Sequence, residues 1–144
     1  MARPRRSRRD GADADQQSAH FSAADIWDLV KFIREGVVDL APYIDATTSK
    51  STGDAAAGKS LFDAECVRCH GSDGKALNFG TAAKPEYVGT VAASDPWGLQ
   101  HRVRFSVVGK KTPGGEEMPA FVRKHWTMND VANVLAYTQT LPAQ

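Results

Sequence analysis

Two thiols three residues apart, followed at once by an imidazole, constrain this chain more than anything else in it: Cys66-Val67-Arg68-Cys69-His70. These are its only cysteines. No further thiols exist to complete a zinc site of four thiolates, or of three thiolates and an imidazole. An oxidised pair of Cys66 and Cys69 is the alternative, and it leaves the adjacent His70 without a role. Covalent haem attachment uses all three side chains. Each thiol adds across a vinyl group to give a thioether, and His70 is held under the iron as its proximal ligand.

The flanking residues agree with that reading. Gly71-Ser72-Asp73-Gly74-Lys75 is a polar, glycine-rich turn that lets the chain leave sharply after His70. Met118-Pro119 follows 48 residues after His70, in a loop between two helix-like stretches. A thioether is a soft neutral ligand that favours ferrous iron, so a His70/Met118 pair raises the reduction potential and closes the sixth position. Four rivals to Met118 exist. His101 would give bis-histidine ligation but lies within an expected helix; His125 reads as a surface residue, Met128 as first-turn packing, and His20 sits in a polar lead.

At Gly58-Lys59-Ser60-Leu61-Phe62, the attachment motif, Met118-Pro119 and Val134-Leu135-Ala136-Tyr137, the chain resembles the small soluble c-type cytochromes, over about residues 54 to 142. The resemblance implies an all-α, cytochrome c-like helical domain wrapped around one covalently bound haem c and its iron, with an extra N-terminal helix. It implies that Gly58 and Phe62 pack against Val134 and Tyr137 at a close helix crossing. It also makes Pro85 the candidate whose carbonyl accepts from the ligand histidine; a plain loop breaker is the other reading. Asp95-Pro96 opens a helix that Gly109 ends, with Leu99, Val103 and Val107 inward. In the resembled domains this segment borders the haem propionates, which makes Trp97, His101 and Arg102 candidate donors to them.

The formal charge of +1 gives no argument for nucleic acid or membrane binding, and no apolar run has the length of a membrane span. A domain of roughly ninety residues is marginal on its own apolar burial, and a central haem supplies the missing core. Residues 1–20, with Arg3, Arg5, Arg6, Arg8 and Arg9, read as a disordered lead. The paired arginines are followed by no apolar h-region. The expected periplasmic location therefore rests on the resemblance alone.

Ser22 caps a helix answered by Asp25, with Ile26, Leu29, Val30 and Ile33 at helical spacing. The pattern returns 105 residues later, with Thr127 for Ser22, Asp130 for Asp25, Val131 for Ile26 and Tyr137 for Phe32. Read as a repeat, residues 21–36 resemble the closing helix of a preceding domain, as in the tandem domains of bacterial diheme cytochromes; coincidence between two capped helices is the other reading. The expected organisation is a lead over 1–20, an orphan helix and linker over 21–49, and a cytochrome domain over 50–144. The orphan stripe would support a weak homodimer.

Lys75, Lys84, Lys110, Lys111, Arg123 and Lys124 bracket the motif and the Met118 loop. Ringing an exposed haem edge, they would steer an acidic redox partner; singly, each reads as a solvated surface residue. The functional expectation is single-electron transfer, as a mobile carrier or as the haem domain of a larger oxidoreductase assembly, and so not an enzyme by itself. A gas sensor or peroxidase-like enzyme with an open distal site is the alternative.

Overall fold

The computed structural model describes residues 22–31, 33, 38–107, 109 and 111–143, for Lys31 and Arg123 in backbone only. The N-terminal arginines, His20, Phe32 and Lys110 lie outside the described residues. The chain divides into two compact units, residues 1–39 and 40–144.

In the first unit, α1 spans Ala23–Lys31. Its start is fixed by a reciprocal cap: Ser22 N–H donates to Asp25 Oδ2 at 2.7 Å, and Asp25 N–H donates to Ser22 Oγ at 3.1 Å. The two bonds satisfy backbone donors that a helix start otherwise leaves open. The apolar side chains Ile26, Leu29 and Ile33 are exposed.

The second unit is helical, and among the described residues it holds no strand, only isolated bridges at Ile44/Ser51 and Lys111/Glu117. Its helices are α2 (Ala55–Glu65), α3 (Val67–His70), α4 (Val88–Ser94), α5 (Pro96–Phe105) and α6 (Met128–Thr138), with a 3-10 turn at Phe121–Lys124. The all-α expectation holds. Asp54 caps α2 by accepting from Ala56 and Ala57 N–H, and Thr127 and Asp130 cap α6 in the same reciprocal manner as α1.

Helices α2 and α6 form the main crossing. A Cβ at Gly58 would overlap the Asn133 carbonyl and stand 2.9 Å from Val134 N, so only a residue without a side chain lets the backbones approach this closely. One turn on, Phe62 meets Tyr137 edge-on with ring centroids 5.3 Å apart. This is the pairing expected from the sequence.

Two expectations need correction. The helix begun at Asp95 does not run to Gly109; it ends at Phe105, because Ser106 turns to φ 74, and Val107 lies beyond it. The segment 40–49 is not a plain linker. Ile44 is 2% exposed and packs with Ala92 and Leu135, with Leu99 against them. Asp45 Oδ1 accepts from Thr47 and Thr48 N–H. Gln139 then ties the segment to α6, donating to Ser49 C=O at 2.8 Å and accepting from Ser51 N–H at 2.9 Å. The unit therefore starts near Leu40 rather than at residue 50.

The core is split into three clusters. Phe62, Cys66 and Val88 make one, Ile44, Ala92 and Leu135 a second, Val103, Phe121 and Val131 the third. A domain of this size ordinarily has one contiguous core.

Candidate functional site

What separates the clusters is a cleft of about 680 Å³ whose wall draws on all three, through Phe62, Cys66, Val88, Leu135, Val103 and Phe121 among others. Cys66, Cys69 and His70 come to one side of it because α2 runs directly into α3. Cys66 N–H bonds to Phe62 C=O at 2.8 Å and His70 N–H to Cys66 C=O at 2.9 Å. Residues at i, i+3 and i+4 of a helical turn share a face. Gly71 at φ 76 and Gly74 at φ 74 then turn the chain away, as the glycine-rich segment implied.

Both thiols are free. Burial, with a smaller effect of the Glu65 charge, pushes the Cys66 thiol up to about 12. Cys69 is half-buried and donates to Glu116 Oε2 at 3.5 Å. Burial holds the His70 imidazole below its ordinary pKa, which keeps it neutral, the form that ligates a metal. His70 Nδ1 is buried with no hydrogen-bond partner among the described residues. A buried polar atom left unpaired is costly. A neutral imidazole with two thiols beside it, all on the wall of one largely apolar cleft, is the donor set that fits a covalently bound haem.

Pro85 lies outside the residues lining the cleft, and among the described residues no carbonyl accepts from His70 Nδ1. The loop around Pro85 is closed on Asn78 instead, whose Oδ1 accepts from Gly80 N–H and Glu86 N–H at 2.9 and 3.0 Å. Phe79 takes the flank of His70, ring centroids 6.0 Å apart.

Met118 lies in the loop between α5 and α6, lines the cleft and packs against Val103, Phe121 and Val131. Among the described histidines and methionines, only His70 and Met118 line it. His101 is exposed and rests on Phe105 at 5.0 Å. His125 is exposed, and Met128 begins α6 outside the cleft wall.

Of the three expected propionate donors, Arg102 lines the cleft while Trp97 and His101 do not. Helical rotation explains the split: Pro96, Gln100 and Val103 occupy the buried face of α5, which turns Trp97 and His101 outward. Gln100 was not expected. It is 6% exposed, lines the cleft, and its Oε1 has no partner among the described residues. A polar residue at the i−3 spacing from Val103 on an inward stripe is the signal that could have found it.

The basic residues near the cleft are paired. Lys84 faces Glu86 and Lys111 faces Glu117, each at 3.8 Å, and Arg102 faces Asp95 at 3.4 Å. Arg68 pairs with Glu116, and Lys124 with Glu65. Of the expected basic ring, Lys84, Lys111 and Lys124 each face a carboxylate; Arg68 and Arg102, which were not part of it, do so as well. Lys75 lies over the Tyr87 ring at 5.5 Å.

The fold and the site together define a small helical domain of the c-type cytochrome class, built to hold haem through its attachment motif. Residues 53–137, more than half of the chain, match the family described as cytochrome c oxidase, cbb3-type, subunit III, and the chain belongs to that family. No curated protein and no solved structure matches it. Membership brings covalently bound haem c with its iron, and electron transfer as the general function. Among the described residues no helix is long and apolar enough to cross a membrane.

Proposed function

We propose that this chain passes single electrons to and from redox partner proteins, and that His70 and Met118 would ligate the iron of one haem. The observation that carries the reading is that these two, alone among the described histidines and methionines, line the cleft. The bound group supplies one-electron exchange between ferric and ferrous iron. Cys66 and Cys69 tether it, and neutral His70 presents a nitrogen donor. Met118 brings a soft sulfur that favours the reduced state and leaves no open position for substrate. The largely apolar wall of the cleft would raise the potential further.

The role is that of a carrier or of the haem domain in a larger oxidoreductase assembly, working in the periplasm, where haem is attached outside the bacterial cytoplasm. The matching reciprocal caps of α1 and α6 support reading α1 as the closing helix of a preceding domain. The exposed Ile26, Leu29 and Ile33 support a weak homodimer through it.

The test is the oxidised spectrum. The weak sulfur-to-iron charge-transfer band in the far red should be present, and Met118→Ala should abolish it and lower the potential. A high-spin protein that binds carbon monoxide readily would overturn His/Met ligation in favour of an open distal site.

A further inference from the structure

Ser106 ends α5 in a conformation that serine ordinarily avoids. Its N–H still bonds to Arg102 C=O at 2.8 Å, but its backbone stands at φ 74 and ψ −179. That region is essentially open to glycine alone. His125, also at positive φ, has ψ 23 and so falls in the left-handed helical well that polar residues tolerate. Ser49 stands at φ 57, and the other described residues at positive φ are glycines, Gly71, Gly74, Gly109 and Gly115.

The side chain supplies the reason for serine here. Ser106 Oγ donates to the Met118 carbonyl at 2.5 Å, across 12 residues of chain. Glycine would relax the backbone and lose that bond. Alanine would lose the bond and keep the strain. Serine alone of the three fixes the end of α5 to the backbone of Met118, whose side chain packs against the cluster of Val103, Phe121 and Val131.

We propose that Ser106 is a positioning residue for Met118: its hydroxyl pins the Met118 carbonyl so that the sulfur is already aimed into the cleft when the iron is there. The proposal rests on Met118 being the sixth ligand. Where the peptide is free to swing, the sulfur must be ordered each time it binds, and that entropy weakens its hold on iron. Met118 then yields more easily to an added ligand.

The test uses the haem-loaded protein with Ser106→Gly and Ser106→Ala, and Met118→Ala as the limiting case. Imidazole, titrated into the ferric protein, competes for the sixth position. Both Ser106 variants should bind imidazole about three- to tenfold more tightly than wild type, the range expected for one lost hydrogen bond, with a weakened far-red band. Thermal stability should move differently: the glycine variant should melt above the alanine variant, since only glycine releases the strain. Wild-type imidazole affinity and an intact band in Ser106→Gly would overturn the proposal while leaving His/Met ligation standing. Absence of the far-red band from wild type would overturn the ligation itself, and the role of Ser106 with it.

Discussion

Gly58 lies against the Asn133 carbonyl so closely that no Cβ fits between α2 and α6. The crossing brings Phe62 to Tyr137 and sets the first wall of the cleft. Gly58→Ala gains about 1 kcal/mol of helix propensity, yet it must separate two backbones, an overpacking cost of roughly 1–3 kcal/mol or more. A net loss is expected in denaturant unfolding of the haem-loaded protein. A variant as stable as wild type would mean the helices have room to part.

The two thiols should not be equivalent. Cys66 is 8% exposed and sits with Phe62 and Val88, whereas Cys69 is half-buried beside Glu116. Haem should stay on the protein through extraction with acidified organic solvent, and either alanine variant should leave at most one thioether. Cys66→Ala also removes core volume, so its yield of haem-loaded protein and its melting temperature should fall below those of Cys69→Ala. Equal losses would count against the structural role of Cys66.

Truncation should locate the start of the folded unit. Deleting residues 1–39 removes the first unit and should leave the haem spectrum and melting temperature nearly unchanged. Deleting residues 1–49 also removes Ile44 and the Ser49 carbonyl that Gln139 bonds. Loss of a buried isoleucine alone costs about 2–5 kcal/mol. A marked drop in melting temperature is expected for the longer deletion, and two equally stable truncations would restore residue 50 as the boundary.

Paired charges leave little for long-range steering. Because Arg68, Lys84, Arg102, Lys111 and Lys124 each face a carboxylate, electron exchange with a small anionic oxidant should change less than about threefold as ionic strength rises from roughly 0.01 to 1 M, over which the screening length falls about tenfold. Stopped-flow rates measure this. A steep fall with salt would show a basic surface that these pairs do not neutralise.

Much of this protein is written locally. The attachment motif names its own chemistry because the three side chains act within one helical turn, and the caps at Ser22, Asp54 and Thr127 are visible because capping spans three residues. Even the Gly58/Phe62 pairing with α6 was legible, through resemblance. Tertiary structure decided the rest. Helical rotation of α5 replaced Trp97 and His101 with Gln100 at the cleft, since a polar side chain inside or outside depends on which face the neighbours cover. Ser106 ends that helix early, at φ 74, with its hydroxyl on Met118, a partner 12 residues away. The segment around Ile44 became core only where Ala92 and Leu135 came to meet it. Sequence determined the motif that attaches haem; the packing of distant segments determined where the cleft lies and what holds the Met118 loop, because those energies exist only between residues that the fold brings together.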